Sequence, residues 1–148
     1  MKDDKEKIKT TLKKAYYIDQ DIRSKKELIE MWRLLAESCS SVGFRRLSGE
    51  KGQATTKIEY YVAKIIDTEI KLQKEIVKLI EAKIHIASLI ASVDSIILRV
   101  LLEQRYLLFK RWEDVADELG YTVNHVLKNL HPRALCAVKI SKESMLVH

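Results

Sequence analysis

Helix-breaking residues are nearly absent from this chain, and their placement decides most of what it can fold into. Of 148 residues one is proline and four are glycine. Three of the glycines, Gly43, Gly49 and Gly52, fall together between Ser38 and Thr56. Glycine and proline are the strongest interrupters of a helix, so nearly everything outside that cluster is open to helix. We expect an all-α fold in two parts. Residues 1–92 form a long N-terminal helical hairpin with its loop at 38–56, and residues 93–148 form a separate C-terminal domain.

Apolar periodicity supports the two long helices. The first is predicted from Lys5 to Glu37, with Ile8, Leu12, Ala15, Ile18, Ile22, Leu28, Trp32 and Leu35 on or near one face. Its apolar phase shifts at Arg23-Ser24, which predicts a break there. The connection from Ser38 to Thr56 carries the basic pair Arg45-Arg46 and reads as a mobile, solvated loop. The second helix, Lys57 to Ala91, would be about 50 Å long at 1.5 Å per residue. Ile58, Val62, Ile65, Leu72, Ile76 and Leu79 mark one seam along it, and Ile66, Ile70, Val77, Ile80 and Ile84 a second. Two adjacent seams make a face wider than one partner helix covers. A homodimer built through the hairpin, or packing by the C-terminal domain, would cover the remainder. Tyr16, Tyr17, Tyr60 and Tyr61 are placed to line the hairpin interface.

The C-terminal part has its own grammar. The apolar run from Ile84 to Leu102 splits at Ser92-Val93-Asp94 into the end of one helix and the start of the next. Further on, Ala116, Gly120 and Val126 stand at the spacing of a helix-turn-helix. A small side chain is needed where two helix axes approach, and Ala116 supplies it. Gly120 permits the left-handed residue that ends the first helix, and Thr122 can cap the second and is also a candidate DNA contact. Val123, Val126, Leu127 and Leu130 then form its apolar face. Asn124, His125, Lys128 and Asn129 are left pointing outward, side chains that can hydrogen-bond base edges or phosphates of duplex DNA. Arg133, one turn on, is a candidate backbone contact. Pro132 removes an amide donor and clashes with the carbonyl of Lys128, so a kink or break is expected there, with Arg133 opening a new helix.

This segment resembles region 4 of sigma-70-type transcription factors, and more closely the phage and prophage late-transcription regulators of the ArpU and RinA type. The residues that carry the resemblance are Leu98 to Leu101, Arg105-Tyr106-Leu107, Trp112-Glu113, Val115-Ala116, Glu118-Leu119-Gly120-Tyr121, Leu130-His131 and Arg133-Ala134-Leu135. Upstream, Tyr16 to Asp19 and Tyr61 to Asp67 are similar in plan. The resemblance implies a sequence-specific regulator of phage gene expression, an activator of late genes acting with host RNA polymerase on double-stranded DNA. Arg111 stands where relatives tend to have Ser or Thr, which forgoes a helix cap worth about 1 kcal/mol and makes Arg111 a candidate phosphate contact. Gln104 occupies a place that is usually apolar.

Charge and cysteine content narrow the other classes. The net charge of +6 suits a polyanionic partner. It is spread unevenly: residues 1–56 hold 13 basic and 9 acidic side chains, residues 94–148 only 8 and 7. So few bases make a lone C-terminal domain a weak DNA binder, and a dimer or recruitment by polymerase would remedy that. Cys39 and Cys136 match no metal or redox spacing. The opening MKDDKEKIKT lacks the apolar core of a signal peptide, and no stretch reads as a membrane span, so a cytoplasmic protein is expected. No phosphate loop, metal motif or nucleophile–base pair is evident among the four histidines, His85, His125, His131 and His148; we expect no catalytic residues, cofactor or metal. The competing expectation is a helical adaptor or inhibitor that binds polymerase or another regulator without touching DNA.

Overall fold

The computed structural model describes residues 2–45 and 51–139, with side chains at 3–39 and 56–139. Five helices and no strand are found among the described residues. Helix α1 spans Lys2–Arg45 and α2 spans Lys51–Ala91. Helix α3 runs Ile96–Leu102 and continues through a π-helical turn, Glu103–Leu107. Helix α4 is Trp112–Leu119. Helix α5 begins at Val123–His125, widens into a second π turn at Val126–Leu130, and ends as α-helix at His131–Ala137. No helix of the described residues is long and apolar enough to cross a membrane.

Both long helices extend past their expected ends. Gly43 and Gly52 lie within helix, so the connection expected over 38–56 narrows to residues 46–50, which lie outside the described residues together with Gly49. The Arg45-Arg46 pair likewise lies outside the described side chains. Glycine inside a helix costs about 1 kcal/mol, and two such costs are smaller than losing the turns of helix they sit in. The break expected at Arg23-Ser24 is absent: α1 is continuous there, and its buried line runs from Ile8, Leu12, Ala15 and Ile22 to Ile29. Leu28 and Leu35, placed in that line by sequence, are exposed.

The chain divides into two compact units, 1–17 with 79–148, and 18–78. This partition differs from a boundary at residue 92, because the opening turns of α1 and the last turns of α2 are built into the same core as the C-terminal helices. In that first unit Ile8, Leu12 and Ala15 of α1 join Ile86, Leu89 and Ile90 of α2. Leu98, Leu101, Leu102 and Tyr106 of α3, Val115 and Ala116 of α4, and Val126, Leu130, Ala134 and Leu135 of α5 complete it. The α2–α3 corner falls where the sequence placed it. Ser95 caps α3 by accepting from the Leu98 amide, and the Arg99 guanidinium donates to the Val93 carbonyl at 3.2 Å. Ser92 Oγ accepts from the Lys139 amide at 3.0 Å, tying this corner to the residues after α5.

Among the described residues the second unit holds 18–45 of α1 and 51–78 of α2, lying antiparallel. Trp32 stacks on Tyr61 with ring centroids 5.9 Å apart, and Arg33 reaches Glu69 at 3.7 Å. Two helices enclose little. Ile22, Ile29 and Thr68 are the buried residues among those described in this unit, while Leu34, Tyr60, Ile66, Ile70 and Val77 are exposed. Thr68 is satisfied within its own helix, its hydroxyl donating to the Lys64 carbonyl at 2.7 Å. Of the two seams read along α2, Ile66, Ile70 and Val77 of the second are each more than half exposed, and the first is exposed at Val62 and Ile76.

Candidate nucleic-acid interface

Helix α4 begins without a side-chain cap at Arg111, as expected from the residue type. Arg111 Nε instead reaches Asp114 Oδ2 at 3.4 Å in an exposed pair, and the acids Glu113 and Asp114 lie in the first turn, where the helix dipole favours them. The helix ends at Gly120, whose φ of 78° lies in the left-handed region. There the Gly120 and Tyr121 amides turn back to the carbonyls of Asp117 and Ala116, at 3.3 and 3.0 Å. Ala116 is buried where α4 meets the core. Thr122 follows as the cap of α5, its Oγ1 accepting from the His125 amide at 3.1 Å. Helix, three-residue turn and helix therefore follow one another as the residue types require.

Pro132 does not break α5. The backbone stays in the right-handed helical region at His125, Val126, Leu130 and His131. The missing donor is absorbed by widening: the His131 amide reaches back five residues to the Val126 carbonyl instead of four. Arg133 therefore continues α5 rather than starting a new helix. The wider turn keeps Val126, Leu130 and Ala134 on the buried line and leaves Leu127, expected in the core, 41 % exposed.

A second π turn lies opposite. It ends α3, where the Leu108 amide donates to Glu103 at 3.1 Å and the Lys110 amide to Gln104 at 3.1 Å. Phe109 takes a positive φ of 56° at this corner. Its ring is held between Tyr16, edge-on at 5.7 Å, and the Lys83 ammonium at 4.8 Å. Gln104, marked by sequence as polar in an apolar place, has its Oε1 buried with no hydrogen-bond partner. The two widened turns bring Tyr106 and His131 together: the Tyr106 hydroxyl and His131 Nε2 are 2.6 Å apart and buried. Trp112 meets the His131 ring edge-on at 4.6 Å, and the Arg105 guanidinium lies over Trp112 at 4.7 Å. Arg105 is itself held by donating to the Lys110 carbonyl at 2.8 Å.

The Tyr106–His131 pair is uncharged at neutral pH, with the Arg105 cation beside it. Burial is the main cause that lowers His131 to about 4, with the charges of Lys9, Arg105 and Lys13 adding to it. Burial likewise pushes Tyr106 up to about 12. With the imidazole proton on Nδ1, the Tyr106 hydroxyl donates to Nε2. Sequence reading gave neither residue this role. Tyr106 lies in phase with Leu98 and Leu102, four residues apart each, which signals burial. A partner 25 positions away has no sequence signal.

The outward residues of α5 form a continuous strip. Asn124, Lys128, Asn129 and Arg133 are exposed, and Thr122 is exposed at the head of the helix. His125 is half-buried and held from both sides: Asn129 Nδ2 and His125 Nδ1 are 2.9 Å apart, and the Tyr121 ring is tilted over it at 5.0 Å. Arg111 is brought to the start of α4 instead, with its side chain 77 % exposed. No acidic residue occurs from Leu119 to Lys139. The acids Glu113, Asp114, Asp117 and Glu118 all belong to α4, and Glu118 is paired with Lys110 at 2.9 Å. Among the described residues no group of His, Cys, Asp and Glu could hold a metal ion. No family model, curated protein or solved structure matches the chain.

Two outcomes are expected. A Cβ on Gly120 would meet no atom within 4 Å, so Gly120→Ala tests the backbone alone. It should lower stability by about 1 kcal/mol, and Gly120→Asn by less, in urea unfolding. His131 has a folded-state pKa below its unfolded value, so between about 4 and 6.5 the unfolded chain holds a proton that the folded chain refuses. Stability therefore falls as pH drops through that window, by roughly 3 kcal/mol in full. Urea unfolding at neutral and at mildly acid pH should show this loss in the native chain and a smaller one in His131→Gln.

Proposed function

We propose that this protein is a sequence-specific DNA-binding transcription regulator, an activator of phage or prophage late genes working with host RNA polymerase. The observation that carries this reading is the outward strip of α5. Asn124, Lys128 and Asn129 are exposed on an acid-free helix whose entry angle is set by a three-residue turn, while His125 is held in place by Asn129 and Tyr121. Asn pairs with adenine edges and Lys with guanine acceptors or phosphate, so such a strip suits the major groove. Arg133 at the far end and Arg111 at the start of α4 would hold phosphates and fix register. The similarity of residues 98–135 to region 4 of sigma-70-type factors favours the same placement and a polymerase partner.

One observation favours the adaptor reading. Helix α4 exposes Glu113, Asp114 and Asp117, a surface that duplex DNA would repel and a basic protein would accept. The variant Lys128→Ala with Asn129→Ala separates the two. Both side chains are exposed, so the fold and far-UV circular dichroism should be unchanged. Removing two base-reading side chains, each worth about 1–3 kcal/mol, should lower specific promoter affinity by tenfold or more. Unchanged affinity and promoter activity in this variant would count against base reading by α5, and absence of promoter binding by the native chain would favour the adaptor.

We further propose that the chain associates with a second copy through the second unit. Ile66, Ile70 and Val77 repeat at heptad-like spacing and are each more than half exposed, next to a two-helix core of few buried residues. Two such hairpins would bury one another's seams as a four-helix arrangement, and two copies would double the phosphate contacts. Sedimentation of the native chain should give a dimer, and Ile66→Glu with Ile70→Glu and Val77→Glu a monomer. A native monomer at micromolar concentration would remove this part of the reading.

A further inference from the structure

A line of cations lies beside α5 on a different part of the chain. Lys5, Lys9 and Lys13 recur every four residues of α1 and therefore share one side of the helix. That side adjoins the buried line of Ile8, Leu12 and Ala15, and all three lysines are half-buried. Their stems thus lie along the core unit while their ammonium groups stay in water. None of the three, nor Arg133, forms an ion pair or side-chain hydrogen bond among the described residues.

Two observations place this line next to the end of α5. Lys5 lines a groove of about 380 Å³ together with Leu98 of α3 and Pro132, Arg133 and Cys136 of α5. Lys9 and Lys13 lie near enough to His131 for their charges to help keep its ring neutral. Asp3 and Asp4 fall on other sides of the helix, and Glu6 borders the line, so three lysines face one acid along this side.

We propose that Lys5, Lys9 and Lys13, with Arg133, form a phosphate-binding surface that grips the DNA backbone beside the C-terminal end of α5. It deepens the DNA-binding reading and rests on it. A row of cations about 6 Å apart along a helix matches a partner with regularly repeated negative charge. It also supplies what the C-terminal residues lack, since 94–148 hold only 8 basic against 7 acidic side chains. The bases that give α5 its grip come from the beginning of the chain.

The test uses the full chain and a short fluorescent duplex of random sequence, titrated by anisotropy over a series of salt concentrations. The variant Lys5→Gln with Lys9→Gln and Lys13→Gln should lower the slope of log K against log salt by about 0.9 for each phosphate no longer neutralised, up to roughly 2–3, with at least a tenfold fall in affinity at low salt. The matching triple Lys→Arg variant keeps the charge and should keep the slope, which separates charge removal from misfolding. An unchanged slope in the Gln variant, with the native chain binding, overturns this proposal and leaves the DNA-binding reading standing. Failure of the native chain to bind the duplex at any salt overturns the DNA-binding reading, and this proposal with it.

Discussion

The contact between Tyr106 and His131 is the point on which the C-terminal architecture turns. Its 2.6 Å separation joins α3 to α5 inside the core, and Trp112 closes over it from the first turn of α4. Removing either partner would leave a buried polar atom unsatisfied, at a cost of about 1–3 kcal/mol. Because both groups are neutral, no ion has to be buried to make the contact, whereas protonating the imidazole would place a cation in a site already surrounded by Lys9, Arg105 and Lys13. The three helices that meet here are the ones that decide where the outward strip of α5 points. If α5 reads base edges as proposed, that direction must be held firmly, since a small rotation of the helix moves every contact along it.

The two π turns serve the same end. One contains Tyr106 and the other immediately precedes His131. In α5 the wide turn also resolves the conflict between a proline and a continuous helix. His131 donates across five residues, and the chain passes Pro132 without leaving the helical region. Arg133 thereby stays on the same rigid element as Asn124, Lys128 and Asn129. The second unit has a different character, with few buried side chains among those described and with Ile66, Ile70 and Val77 exposed.

Local chemistry was legible in the sequence wherever one residue type has one structural answer. Gly120 ends α4 in the left-handed region, Thr122 caps α5, Ala116 is buried at the approach, and Ser92 to Asp94 separate α2 from α3. Phase was less legible. Leu127 and Leu28 sit at the edge of an apolar stripe, and a widened turn or an unbroken helix decided against each. The helix ends were misplaced because glycine and serine weaken helix without forbidding it. The outward polar residues of α5 were readable from periodicity, yet the lysines of α1 beside them were not. That neighbourhood depends on long-range packing of the first turns of the chain, and no local pattern announces it.

Helix α5 is proposed to present a surface for duplex DNA of particular sequence. A titration of the purified full chain against duplex fragments from its own genomic neighbourhood, at two salt concentrations and with nonspecific competitor, addresses it most directly. The account predicts saturable binding to one fragment that survives competitor and weakens with salt. Weak binding to every fragment alike, abolished by salt or competitor, would contradict it.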